Sequence, residues 1–201
     1  TNIGEGLVIL AAIFMGVVLP ILPVQILWIN MTTAVLLGLM LVFEPKEPGI
    51  MERPPRDPQE PILTRVLIWR ILIVGFLMLV AAFGLFNYEL RLAGASDNEA
   101  RTVAVNVFVM VEVFYLLNCR SLTKSVFEVG FFSNPWVFGG ACLMLVLQLL
   151  FTYVPAMNTA FGSAPIGIES WARIVAAGSV VMVVVGLEKF VARRRAEKAL
   201  R

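Results

Sequence analysis

Glu5 and Glu112 are the two residues of this chain that are hardest to explain as packing. Each carboxylate lies in a stretch that otherwise suits lipid, TNIGEGLVILAAIFMGVVLP and VNVFVMVEVFYLLN, with amide or hydroxyl side chains at helical spacing. A charge at membrane depth costs about 2.5–3.5 kcal/mol on insertion scales, so an intramembrane ionisable residue marks a functional site by default. Asn2 and Glu5 are three apart, as are Asn30 and Thr33 in ILWINMTTAVLLG, and that spacing puts each pair on one helix face. Carboxylate, amide and hydroxyl oxygens together suit a hard cation such as calcium or magnesium, and alkali ions by the same chemistry. Two carboxylates in a water-poor site also suit protons. The candidate ligand set is Asn2, Glu5, Asn30, Thr33 and Glu112.

Other polar residues have simpler readings. Thr32, Asn106 and Gln148, and Asn30 or Thr33 taken singly, read as interhelical hydrogen-bond glue worth about 1 kcal/mol each. Arg70 and Arg101 read as side chains snorkelling to the membrane surface. Trp28, Trp69, Trp136 and Trp171 read as interfacial aromatics. Gly75, Gly84, Gly139 and Gly140 would let helices approach closely.

The elements that must position the candidate ligands follow from composition. The chain is 59% hydrophobic with a mean hydropathy of +0.87, and its apolar runs approach the length that crosses a bilayer. They fall at Asn2–Leu19, Val24–Phe43, Leu63–Tyr88, Arg101–Cys119, Trp136–Val154 and Ser170–Val191. The expected fold is all-α, a polytopic membrane helix bundle with six transmembrane helices in one membrane domain over 1–201. Pro20 and Pro23 are expected to end the first span and start the second, which makes a tight antiparallel hairpin whose side chains can meet. A Pro-rich loop at 44–62 carries Lys46, Arg53 and Arg56. Arg120 and Lys124 follow the fourth span, and the tail at 192–201 is basic. The positive-inside rule then places both ends and these segments in the cytoplasm. The apolar runs imply a lipid bilayer as partner, and the net charge of +2 is too small to argue for nucleic acid.

Two cysteines and no histidine weigh against a soft-metal site and against a disulfide framework. No Ser/His/Asp or Cys/His arrangement is possible. No G-x-x-x-x-G-K-[ST] loop is present, so no catalytic residue and no cofactor-binding residue is assigned. These residues are not expected to bind or hydrolyse ATP unaided. The first segment also lacks the basic flank and cleavage pattern of a signal peptide.

The run LPVQILWIN, continuing through NMTTA to GLMLVFEPKEPGIMERPPR, resembles the sixth membrane span and following loop of type II P-type cation-transporting ATPases. TNIGE resembles the ion-binding part of their fifth span, and VMVEVFYLLNCRS, more weakly, their eighth. The resemblance covers essentially the whole chain. It implies the carboxy-terminal membrane domain, spans five to ten, of a calcium-pump-like enzyme: the ion-binding part of an ATP-driven pump, not catalytic by itself. The family's ligand positions fall on Asn2, Glu5, Asn30, Thr33 and Glu112. The implied cargo is a cation, calcium first, with sodium or another cation as alternatives. ATP and magnesium would enter only through domains outside this chain. The implied partners are spans one to four and the actuator, phosphorylation and nucleotide domains. The implied location is the plasma membrane of a prokaryote. Calcium pumps of the reticulum type place an aspartate directly after the threonine matching Thr33, where this chain has Ala34. The motif DKTGT is absent, and the chain is expected to be a fragment of a longer pump. The alternative is a freestanding, non-catalytic membrane interaction protein derived from a pump half.

Overall fold

The computed structural model describes residues 1–46, 55, 61–121, 124–130 and 132–199, the side chains of 127 and 195–199 excepted. Most of the loop expected at 44–62, with Arg53 and Arg56, lies outside the described residues, as do the last two residues of the tail. The helices are α1 (Asn2–Met15), α2 (Pro23–Thr33), α3 (Arg65–Arg91), α4 (Asp97–Cys119), α5 (Val126–Val129), α6 (Pro135–Tyr153), α7 (Pro155–Phe161) and α8 (Ile168–Ala199). The helix begun by α2 continues as a π-helical turn, Ala34–Gly38, and a 3₁₀ turn, Leu39–Phe43. The fold is the all-helical bundle expected, with no strand among the described residues. Among the described residues, five helices are long and apolar enough to cross a membrane: Pro23–Phe43, Arg65–Arg91, Asp97–Cys119, Pro135–Tyr153 and Ile168–Arg194.

α1 is shorter than expected, with 14 residues, or about 21 Å of helix. It stops because Gly16 adopts a left-handed conformation (φ 63°) and its N–H closes onto the carbonyls of Ala12 and Ile13, a glycine stop rather than a proline one. Pro23 does open α2, where a missing N–H costs nothing. The turn between them is pinned by Gln25, whose side chain accepts from the Leu22 N–H (2.9 Å) and donates to the Phe161 carbonyl (3.0 Å). α4 starts four residues before the expected Arg101. Ser96 and Glu99 form a reciprocal capping box there, satisfying two N–H groups at the helix start. The connection between the fifth and sixth expected spans contains a short helix, α7.

α4 is the central helix: 72% of its membrane window is buried, against 28–33% for the other four spans. α3 and α8 pack along it, α2 and α6 also contact it, and α1 lies on α3. Lys189 of α8 caps the end of α4, its ammonium donating to the carbonyls of Asn118, Ser121 (2.6 Å) and Lys124 (3.3 Å). Asn118 returns a bond to the Met182 carbonyl of α8 (3.2 Å).

Three readings change. Arg70 does not snorkel; it is 5% exposed and pairs with Glu188 across α3 and α8 (2.8 Å), because helix packing closes over it before it reaches a surface. Arg101 is turned inward, its Nε donating to the Leu19 carbonyl (3.1 Å). Trp28 is buried, stacked on Phe151, with its indole N–H on Gln148 (3.3 Å). Of the four glycines, Gly140 is the one whose missing side chain matters: an added methyl would collide with the Leu36 carbonyl oxygen and come within 2.6 Å of Met40. Around Gly84 and Gly139 that space is open.

The far end of the α2 helix is tied down by charge. Glu44, one residue beyond Phe43, accepts from Arg120 Nη2 (2.8 Å) and Nε (3.1 Å) and from Asn134 Nδ2 (2.8 Å). Arg120 also donates to the Gly130 carbonyl (3.1 Å) and to Ser133, and its side chain is fully buried. Burial pushes the Glu44 carboxyl up, but the hydrogen bonds from Arg120 and Asn134 and the Arg120 charge outweigh it and hold it below its ordinary value.

Two outcomes are expected. Gly140→Ala should cost about 1–3 kcal/mol through overpacking, read as a lower melting temperature of the purified protein, while Gly139→Ala changes it little. A carboxyl whose folded pKa is depressed stabilises above its unfolded value, 4.5 for Glu44, and that stability is lost as pH falls through the folded pKa. Acidification below about 4.5 should therefore lower the melting temperature of the parent protein more than that of Glu44→Gln.

Candidate cation site

Glu5 on α1 is 2% exposed and faces α2. The hairpin sets it against Asn30, whose Nδ2 donates to Glu5 Oε2 at 2.8 Å and to the Ile26 carbonyl of its own helix at 3.2 Å. Three residues on, the Thr33 hydroxyl donates back to the Ile29 carbonyl (2.9 Å), which fixes its rotamer with its oxygen lone pairs available. Glu112 on α4, 6% exposed, lies beside the hydroxyls of Thr33 and Thr1 and within the field of Glu5. Three helices thus bring Glu5, Asn30, Thr33 and Glu112 to one place.

Asn30, Thr33 and Glu112 line a cavity of about 390 Å³, together with Asn2 and Ala34. Asn2 is exposed at its edge and accepts from Thr1 (3.3 Å). Glu5 does not line the cavity and meets it through Asn30. Ala34 contributes only a methyl group to the lining, so no third carboxylate enters at that position. Away from the polar end, the cavity is walled by Leu37, Gly38 and Leu41 on one side and Tyr115, Leu116 and Cys119 on the other.

Two oxygens, Glu5 Oε1 and Glu112 Oε2, are buried without a hydrogen-bond partner among the described residues. A buried carboxylate oxygen without a donor is costly unless a proton or a cation satisfies it. The surrounding donor set of two carboxylates, one amide oxygen and a hydroxyl matches oxygen coordination of a hard cation. Among the described residues, no three His, Cys, Asp or Glu side chains come together, so neutral oxygens must complete any coordination shell.

Sequence reasoning missed two contributors. The π-helical turn begins directly after Thr33, and single π turns recur at functional sites because they break the regular bonding of the helix. AVLLG carries no residue that announces it, and Leu36 within it lies directly against Gly140 of α6. The Glu44–Arg120 pair was visible only as two charges near span ends.

Residues 18–191 match the family model described as cation transporting ATPase, C-terminus. The chain is 55% identical over 197 residues to a probable cation-transporting ATPase F of Mycobacterium tuberculosis, covering 98% of this chain and 22% of that protein. It is 35% identical over 179 residues to the cation-transporting ATPase pma1 of Synechocystis, covering 85% of this chain and 19% of the relative. A calcium-transporting ATPase of Bacillus subtilis is 31% identical over 180 residues, covering 90% and 20%. The chain therefore spans about a fifth of the length of the curated relatives it matches.

The Asn30 contact yields a separate test. Asn30→Leu removes the donor that holds Glu5, a hydrogen bond to a charged group worth about 1.5–3 kcal/mol. Cation affinity of the purified protein should weaken about tenfold or more, while Met31→Leu, on the exposed face, leaves it unchanged.

Proposed function

The chain belongs to the cation-transporting ATPase family as its C-terminal transmembrane part, and on that premise we propose that Glu5, Asn30, Thr33 and Glu112, with Asn2 at the rim, bind the transported cation. The observation that carries this reading is the pair of unpartnered buried carboxylate oxygens, Glu5 Oε1 and Glu112 Oε2. Asn30 orients Glu5 by one hydrogen bond and keeps its own carbonyl oxygen for the ion. Thr33 spends its proton on Ile29 and offers lone pairs to the cavity. In this reading the two carboxylates supply the charge and the neutral oxygens the remaining coordination.

Calcium is the proposed cargo, supported by the oxygen-only donor set and by the calcium-transporting name of the Bacillus subtilis relative. Ala34 lowers the charge at the centre of the site, which favours one ion per cycle, or a monovalent ion or protons, over two calcium ions. The energy would come from an aspartyl-phosphate cycle in domains outside this chain. The relatives' roughly fivefold greater length leaves room for those domains. Both ends and the basic segments are proposed to face the cytoplasm of a prokaryotic plasma membrane.

Cation-dependent phosphorylation of the full-length protein, screened across calcium, sodium, potassium, magnesium and manganese, tests this. Glu5→Gln and Glu112→Gln should each raise the half-saturating cation concentration at least tenfold, or abolish the dependence. Unchanged cation dependence in both variants overturns the site. Absence of any cation-dependent phosphorylation favours the non-catalytic interaction protein instead.

A further inference from the structure

Between Thr33 and Glu44, the helix that carries two of the five candidate cation ligands is wound in two irregular ways, π over Ala34–Gly38 and 3₁₀ over Leu39–Phe43. Winding and position are linked. A 3₁₀ helix rises about 2.0 Å per residue with 3.0 residues per turn, against about 1.5 Å and 3.6 in an α-helix. Rewinding the five residues Leu39–Phe43 as α-helix would shift one end against the other by about 2.5 Å and rotate it by about 100°. Such a change would swing Asn30 and Thr33 relative to Glu112, unless Glu44 moved instead.

Glu44 cannot move while its contacts hold. Arg120 grips both of its carboxylate oxygens, at 2.8 and 3.1 Å on Oε1 and 3.1 Å on Oε2. Asn134, the N-cap of α6, donates to Glu44 and also to the Met40 carbonyl (3.4 Å) inside the 3₁₀ turn. Arg120 directly follows α4, the helix of Glu112, and is itself held by Gly130 and Ser133. A bidentate guanidinium–carboxylate pair tolerates neither a shift of 2 Å nor a large rotation, because both hydrogen bonds depend on a shared plane.

We propose that the Glu44–Arg120 pair is a positioning device for the cation site, clamping the irregularly wound end of the α2 helix to the end of α4 so that Asn30 and Thr33 stay facing Glu112. The clamp sits eleven residues from Thr33 and eight from Glu112 and touches no proposed ligand. It acts through the axial setting of two helices. The proposal rests on the reading of Glu5, Asn30, Thr33 and Glu112 as the cation site.

The test compares Glu44→Gln, Glu44→Asp, Arg120→Lys and Glu112→Gln in the full-length protein, reading half-saturating calcium and maximal phosphorylation per folded molecule. Glu44→Gln and Arg120→Lys are expected to raise half-saturating calcium about tenfold with a smaller change in the maximum, and Glu44→Asp to recover most of the loss. A second measurement combines Glu44→Gln with Thr33→Val. If the clamp acts through Thr33, the two effects are non-additive. A merely structural pair would lower the amount of folded protein and leave half-saturation in place. That outcome in both Glu44→Gln and Arg120→Lys overturns the clamp, as does full additivity with Thr33→Val. If Glu44→Gln does not fold, Arg120→Lys alone decides on the same two readings. Unchanged half-saturation in Glu112→Gln overturns the cation-site reading itself, whereas a shift in Glu112→Gln without one in the clamp variants removes the clamp and leaves the site.

Discussion

A bilayer offers no water to a stranded polar group, so each hydrogen-bonding atom at membrane depth must be satisfied from within the bundle. This constraint explains why α4 is the hub. Its buried Asn106 donates to Thr152 of α6, its end receives the Lys189 ammonium, and Asn118 reaches the Met182 carbonyl of α8. The Arg70–Glu188 pair obeys the same rule between α3 and α8; losing one partner of such a pair costs about 3–5 kcal/mol. Among the described residues, the polar atoms left over include Asn106 Oδ1, Gln148 Nε2 and Arg173 Nε, but only Glu5 Oε1 and Glu112 Oε2 belong to carboxylates. Those two share one field across three helices. These unsatisfied carboxylate oxygens are the feature on which the proposed cation site rests.

The second constraint is geometric. A ligand inside a regular helix is placed by its neighbours in the same helix, but Asn30 and Thr33 sit on the last turn of α2, directly before a segment that is not regular. Its path is set from outside: by Gly140, which brings α6 against Leu36; by Asn134 at Met40; and by Arg120 at Glu44. The irregular winding and its restraints belong together, since π and 3₁₀ turns have poorer hydrogen bonding than the α-helix and persist where packing favours them.

Much of this could be read along the chain. Apolar runs predicted helices close to where they lie, because burial in lipid demands long uninterrupted apolar stretches. The i,i+3 spacing of Asn30 and Thr33 identified a face, and the short connection between α1 and α2 made the meeting of Glu5 with Asn30 foreseeable. The misread side chains were matters of direction. Arg70, Arg101 and Trp28 were assigned to the membrane surface by sequence position, yet each is turned inward onto a partner distant in sequence: Glu188, Leu19 and Gln148. Gly16 ended α1 before Pro20 could, because a left-handed residue stops a helix as firmly as a missing N–H.

By itself the sequence determined the solvent, the helical class and the residue types of the candidate site, since hydropathy, periodicity and the rarity of intramembrane carboxylates are local properties. Only the tertiary structure decided that Glu112 joins Glu5 across α2, that α1 ends early, that the helix beyond Thr33 is wound irregularly, and that Glu44 and Arg120 pair. Each of these depends on what lies across an interface, and no residue carries a record of its neighbour across space. Glu5 and Glu112 were conspicuous as isolated charges; their relation to each other is a property of helix packing.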